Sequence, residues 1–435
     1  VLPSANASDP GGVGGTRTVV YQAGSRTTSS IGQGQGATYG VGHAASEPTI
    51  GIDKAGRIFY TATDFAVGNN DVLESSDHGH KWTTVSPTIG PVKDHVVSKD
   101  PYLYVDPTTQ RVFDIDLTDA CSYLSASDDA GKTWLSNPLA CGAPINDHQT
   151  LFAGPPVSSP TVGYPNVVYY CYNNVISTSC SKSLNGGLSF SPTGSPAYQG
   201  VDPVQAGPTS LCGGLSGHGI VGRDGTVYLP RGWCGKAMIA ISHDEGATWD
   251  RVKVSSIPSD DVQTSVAIDT EGNLYYVWVS DKGLPYLAVS RDGGRKWSRP
   301  VPVATPKVRE ANLVTIDAKA AGTVAIAYMG TENVTGPPDD RDHTYATWNG
   351  YVTTSRNALA RRPTFTSTTI NPPRDPLFRG TCGPGRCGAV WDFLDVVVGD
   401  DGYAYGAFVD VCTGRCATVG PPNAGNEGLL ARVRV

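Results

Sequence analysis

Charge is scarce in this chain, and that scarcity removes several functions. Asp, Glu, Lys and Arg together make up 17% of the 435 residues, and the net charge is −7. No basic stripe is visible, so nucleic acid is not an expected partner, because phosphate backbones are gripped by clustered Lys and Arg. No apolar run approaches the ~18 residues that a membrane-spanning helix needs. Long stretches of 3.6-residue periodicity are also missing, which argues against a helical architecture. Cys residues at metal-finger spacing are absent. No signal-peptide pattern stands at the start, so the chain reads as a mature secreted protein.

What is present points to strands and turns. Gly (52) and Pro (32) are abundant, and Tyr, Val and Thr recur in the apolar runs, the composition of an all-β protein. The ten Cys fall into neighbouring pairs: Cys121 with Cys141, Cys171 with Cys180, Cys212 with Cys234, Cys382 with Cys387, and Cys412 with Cys416. An even number favours disulfides and an oxidising, extracellular compartment, although proximity alone does not fix connectivity. Residues 1–15, small and polar, read as a flexible N-terminal arm. Asn6 and Asn333 lie in Asn-x-Ser/Thr sequons, which matter only in a glycosylating host.

Two repeats interlock. The first is Ser-x-Asp-x-Gly-x-x-Trp, present at Ser75/Asp77/Gly79/Trp82, Ser127/Asp129/Gly131/Trp134, Ser242/Asp244/Gly246/Trp249 and Ser290/Asp292/Gly294/Trp297. A weaker copy is Ser183/Asn185/Gly187/Phe190, and an eroded one starts at Ser355. Asp can bond its own backbone two residues on, Gly supplies a positive φ, and the Trp plugs the turn onto a core. The second repeat is an apolar strand, a Gly/Asp turn and another apolar strand, as in residues 48–62, 101–117, 219–230, 264–279, 312–328 and 393–409, with a longer turn in 149–172. A third strand, the Ser-x-Asp turn and a short fourth strand follow. Four strands per repeated unit predict a single β-propeller. Units begin near 47, 100, 148, 213, 261, 310 and 389, which makes seven blades, with six the alternative. The propeller spans 16–435. The last unit lacks a fourth strand, and residues 16–22 are expected to supply it and close the ring.

The repeated turns resemble the Asp-boxes, or BNR repeats, of sialidase-like β-propellers, and the resemblance covers nearly the whole chain. It implies the propeller fold and a glycan-related function. Sialidases of this superfamily carry an Arg-Ile-Pro motif, three arginines gripping a carboxylate and a Tyr/Glu nucleophile pair on a six-bladed ring. Arg-Ile-Pro is absent here, and Arg17, Arg26 and Arg57 lack its context, which argues against a true sialidase.

Blade topology sorts the polar residues. The repeated turns mark one face of the ring, and the starts of innermost strands mark the opposite mouth. Those starts are Glu47, Asp100, His148, His218, Gln263, Glu310 and Asp392, with His43, His95 and Arg309 just upstream. Links between second and third strands add Asp64, Asp116, Asp119, Tyr172, Arg231, Trp233, Asp281, Glu332, residues 339–343, Asp410 and Arg415. Paired carboxylates at a mouth suit glycoside hydrolysis, one as acid and one as base or nucleophile. Acid, base or nucleophile would come from Glu47, Asp100, Glu310 and Asp392, with His148, His218 and Arg231 in the subsites. Trp233 and Trp391 would stack on sugar faces, with His43, Tyr228 and Arg309 contributing further contacts. The alternative enzyme is a lyase on a uronate glycan, with His218 or Tyr228 as base and Arg231 as neutraliser, and His148 and Tyr172 alongside. A third alternative is a non-catalytic propeller that binds a glycan or a protein. The plainest reading of the same residues is that polar strand starts only satisfy backbone groups along a central channel. No cofactor is required. A divalent metal is conceivable at His43, His95, His148 and His218, or Ca²⁺ at 339–343. A monomer acting on a polysaccharide or glycan is expected. Carboxyls 5–10 Å apart in a cleft would favour hydrolysis, and a plugged mouth would favour binding.

Overall fold

The computed structural model describes residues 30–34, 36–66, 68–89, 94–95, 98, 100–118, 122–139, 146–174, 177–200, 212, 214–333, 346–372, 374–380, 382–383, 386–387, 390, 392–419 and 425–435. Residues 1–15 and 16–22 lie outside them.

Strand pairing is antiparallel within each unit and runs outward from an innermost strand. The innermost strands are Ile50–Ile52, Pro101–Val105, Asp147–Gly154, Ile220–Val221, the end of Asp250–Ile268, Glu310–Ala318 and Asp395–Val398. Each touches the next in that order, and the last returns to the first, so the seven described units form a closed ring. We number them blades 1 to 7 in that order. The 19-residue strand Asp250–Ile268 serves twice, as the outer strand of blade 4 and the inner strand of blade 5. The second strands of blades 4 and 5, Val227–Trp233 and Leu274–Ser280, are buried at every position because neighbouring blades cover both of their faces.

Blade 7 takes its outer strand from the other end of the chain. Gly36–Ala44 pairs antiparallel with Glu427–Arg434, from Gly36 opposite Val433 to Ala44 opposite Glu427. A strand from the N-terminal region thus closes the last blade, and the described strand in that place is 36–44. Just before it, Ser30–Gln33 pairs in parallel with Thr364–Ser367 at the edge of blade 6.

The repeated turns explain why their residue types recur. In blade 2, Ser127 Oγ donates to Asp129 Oδ1 at 2.9 Å and accepts the Gly131 N–H at 2.8 Å. Asp129 accepts from the Thr133 N–H, and the Trp134 indole N–H donates to the Gly131 carbonyl. The same Ser–Asp and Ser–Gly bonds hold the turns at 75–79, 242–246 and 290–294, and Asn185 replaces Asp in the 183–187 copy. The turn Gly does two jobs. At Gly131 φ is +82°, and a Cβ there would sit 2.7 Å from Val85 of the preceding blade. Gly79, Gly187, Gly246 and Gly294 likewise press on Leu430, Leu124, Thr193 and Ile241, each in the blade before. The turns therefore staple each blade to its predecessor.

Four disulfides, Cys171–Cys180, Cys212–Cys234, Cys382–Cys387 and Cys412–Cys416, join the neighbours paired from the sequence. Cys121 and Cys141 lie outside the described residues. Among the described residues, no helix is long and apolar enough to cross a membrane.

Candidate functional site

In a propeller, adjacent innermost strands are not paired edge to edge, so their N–H groups need other acceptors. Side chains of the preceding blade supply them here. Leu103 N–H donates to Thr49 Oγ1 (2.7 Å), His148 N–H to Asp100 Oδ2 (3.0 Å) and Gly219 N–H to Thr150 Oγ1 (3.2 Å). Ile316 N–H donates to Ser265 Oγ (3.4 Å), Val398 N–H to Asp317 Oδ2 (2.7 Å) and Ile50 N–H to Asp395 Oδ2 (3.1 Å). Glu47 Oε1 accepts the Asp392 N–H at 3.1 Å, running the other way around the ring. Much of the polarity at the strand starts is thus a set of inter-blade acceptors.

The ring brings three of the expected catalytic carboxyls together. Glu47, Asp100 and Asp392 are all buried. Burial pushes Glu47 well above the usual carboxylate range, and the neighbouring Asp100 and Asp392 charges push it further. Burial raises Asp100 as well, against the stabilising hydrogen bonds from the Glu47 carboxyl and the His148 N–H. Of the two neighbouring carboxyls, Glu47 is the one pushed higher. They interact directly with each other, whereas the two carboxyls of a hydrolase stand apart across the sugar, at ~5–5.5 Å in retaining and ~6.5–9.5 Å in inverting enzymes. Glu47 and His148 hold positive φ angles of 49° and 48°, strain that marks a tightly determined ring centre. Glu310 is buried at the start of the blade 6 inner strand, and Arg309 beside it is exposed.

Three rings cluster next to Asp100 at the inner strands. The His148 and His218 rings lie 6.2 Å apart, and both face Phe393, at 5.2 and 5.8 Å. Tyr102 packs on His218 at 4.6 Å. Burial, with His148 alongside, pushes the His218 pKa down to about 3, so its imidazole is neutral. Neither His148 ring nitrogen has a partner among the described residues. The cavity they share with Thr264, Thr315 and Leu394 measures about 20 Å³, room for one water molecule and no sugar.

The remaining expected site residues are dispersed. Arg231 is buried and spends its guanidinium on Thr178 Oγ1 (2.6 Å) and the Gly214 carbonyl (2.8 Å). Trp233 is buried, and its indole N–H donates to the Gln199 carbonyl at 2.9 Å, which makes it packing and not a stacking platform. Tyr228 sits at the opposite end of that strand, by the turn of blade 5, where a Cβ on Gly293 would meet its hydroxyl at 3.4 Å. The His218–Tyr228–Arg231 lyase set is therefore not assembled. His43 lies on the outer strand of blade 7 and bonds Asp71 Oδ2 at 3.2 Å, away from the axis, so a histidine quartet does not converge. Among the described residues no three His, Cys, Asp or Glu side chains are grouped to hold a metal. Trp391, Asp119, His343 and the rest of 339–343, and the side chains of His95 and Gln263, lie outside the described residues.

Two features are additional. Asp114 and Asp116 are buried together between blades 1 and 2, where Asn70 Nδ2 donates to Asp116 Oδ1 at 2.7 Å. Burial pushes Asp116 up to about 6, and burial together with the Asp116 charge pushes Asp114 higher. The Asp-x-Asp spacing in "VFDIDL" puts both on one face of a strand, a signal available from the sequence. The second is a groove of about 350 Å³ between blades 2 and 3, lined by Tyr172, Phe190, Asn137, Ser181 and Ser189 among others. Of the expected site residues, only Tyr172 lies there.

No protein-family description and no characterised protein sequence matches this chain. Solved structures do resemble it. A mutant Aleuria aurantia lectin in complex with Fucα1-6GlcNAc is 12% identical, covering 71% of this chain and 91% of that one, with a TM-score of 0.46. A mutant NanB sialidase from Streptococcus pneumoniae is 12% identical over 91% of this chain and 70% of that one, with a TM-score of 0.45. The intramolecular trans-sialidase of Ruminococcus gnavus is 12% identical over 91% and 96%, with a TM-score of 0.42.

Proposed function

We infer that this chain is an extracellular, glycan-binding β-propeller, its blades stapled by Asp-box turns. The observation that carries the reading is the state of the ring centre. Glu47 and Asp100 are in contact with each other, and each accepts a backbone N–H from another blade. Beneath them the axis holds a cavity of about 20 Å³. A hydrolase needs two separated carboxyls facing a space that admits a sugar and a water. Four disulfides support the extracellular setting.

One observation favours a second reading, hydrolysis at the mouth. Glu47 keeps its proton far above the ordinary carboxylate range with Asp100 and Asp392 beside it, and a proton-holding carboxyl is what a general acid requires.

One experiment separates the two. The purified chain is passed over an array of neutral, acidic and sialylated glycans, and the same glycans are incubated with it while reducing ends and unsaturated-uronate absorbance are followed. Binding without either product signal is expected. Reducing ends that appear with the wild type and vanish with Glu47→Gln would overturn the binding reading in favour of hydrolysis.

A further inference from the structure

We propose that the groove between blades 2 and 3 is a binding site for a neutral sugar, with Tyr172 and Phe190 as its apolar walls. The proposal rests on the glycan-binding reading and names where and what the chain binds. At about 350 Å³ the groove falls at the lower end of the ~300–1,000 Å³ range of small-molecule sites, the size for one or two sugar rings. It is far larger than the axial cavity.

The lining has the chemistry of a pyranose. Two aromatic rings line it: Tyr172 and Phe190 both pack on the buried Tyr170, with centroids 5.4 and 6.5 Å from it. Such faces cover the C–H side of a sugar. The lining also carries polar side chains, and the Tyr172 hydroxyl, Ser181 Oγ and Asn137 Oδ1 have no protein partner among the described residues. The Asn137 amide is oriented, because its Nδ2 donates to the Gly187 and Leu188 carbonyls at 3.2 and 3.4 Å, leaving Oδ1 as an acceptor. Ser189 Oγ accepts from Asn185 Nδ2 at 2.9 Å and keeps its O–H to donate. Donors and acceptors thus come from both blades, Asn137 from blade 2 and Tyr172, Ser181 and Ser189 from blade 3, and match the hydroxyls of a sugar. Leu188, half exposed, forms part of the lip.

Among the described residues no charged side chain lines the groove, so none of them would pair with a sialate or uronate carboxylate. The repeated turn of blade 3 departs from the pattern in the same direction. Asn185 stands where the other clear copies have Asp, which removes a negative charge beside the groove. Phe190 stands where they have Trp. In blades 1, 2 and 5 that Trp indole N–H is tied to its own turn carbonyl. Phe190 has no such tether, and its ring lines the groove.

The test uses the full chain. Methyl glycosides of glucose, galactose, mannose, fucose and N-acetylglucosamine, with glucuronate and sialyllactose as acidic probes, are titrated by saturation-transfer NMR and calorimetry. The wild type is expected to bind at least one neutral glycoside. Tyr172→Ala and Phe190→Ala are expected to weaken it about tenfold with the unfolding midpoint retained. Should either variant unfold, Tyr172→Phe and Ser181→Ala decide the matter: each removes one hydroxyl, and about threefold weakening supports the site. Glycan binding that no groove variant changes overturns the site and leaves the glycan reading standing. Binding of acidic probes alone overturns the neutral-sugar assignment. Silence on every probe overturns the glycan reading, and the site with it.

Discussion

The two faces of the ring use the same side chain in opposite electrostatic states. In the repeated turns Asp129 is exposed and accepts from the Thr133 N–H and hydroxyl and from Ser127, and these donors hold its pKa down at about 2. At the inner strands Asp100, Asp395 and Glu47 are buried, and burial is the largest influence on each, pushing Asp395 up to about 7. Both kinds of carboxyl accept backbone N–H groups, so hydrogen bonding alone does not set the state. Water decides it: exposed, the donors add to full hydration, and buried, one or two N–H groups do not replace the hydration lost. An acidic residue in a repeat therefore says little about chemistry until its burial is known.

The strongest way to break this comparison is to remove a buried acceptor. Glu47→Ala strands the Asp392 N–H and leaves a cavity beside the buried Asp100, and we expect a loss of about 3–5 kcal/mol in denaturant unfolding. Glu47→Gln keeps a donor toward Asp100 and should hold the wild-type midpoint at pH 6.5. A Glu47→Ala loss below about 1 kcal/mol would show that the inter-blade acceptors are dispensable.

Next comes pH. Asp395, Asp116, Glu47 and Asp114 hold protons in the fold that the unfolded chain releases near pH 4. Their stabilisation is complete below that value and is lost as pH rises through the folded values. His218, pushed down to about 3, works the other way, but only between about 3 and 6.5, where the unfolded chain takes up a proton and the fold does not. Above pH 6.5 the carboxyls act alone. The thermal midpoint should fall between pH 6.5 and 8.5 by the equivalent of about 1–3 kcal/mol, and Glu47→Gln should flatten the decline. A midpoint that rises over this interval would contradict the protonated ring centre.

On the turn face the effects are smaller. Gly131→Ala forces a Cβ onto Val85 at a φ of +82° and should cost about 1–3 kcal/mol in the same assay. Asp129→Asn should change the midpoint least, by a small loss above pH 4 that vanishes as pH falls through about 2, because the native carboxylate contributes above pH 4 and loses its effect once protonated. A large loss at neutral pH would mean that the charge, and not the turn geometry, holds that face.

Legibility followed the range of the interactions. The Ser-x-Asp turns, the hairpins and the disulfide neighbours were readable because their partners lie within a few to about twenty residues. The strand starts were readable as polar but not as acceptors, since Asp392 reaches Glu47 across 345 positions and Ile50 reaches Asp395 across the same gap. Trp233 and Arg231 looked like subsite residues and prove to be inter-blade packing. Phe190 was visible only as a weak copy of a repeat; it and Tyr172 pack on Tyr170 within blade 3, and the groove they line depends on how blade 2 faces them.

By itself the sequence determined an all-β ring of repeated four-stranded units, with turn chemistry on one face and polar strand starts at the other. Those are consequences of local hydrogen bonding and of period-two burial, which each unit carries within its own residues. Only the tertiary structure decided that the central carboxyls touch each other, that Phe393 and two histidines fill the axis, and that a neutral groove opens between blades 2 and 3. Each depends on the angle at which one blade meets the next, and packing across the whole ring sets that angle.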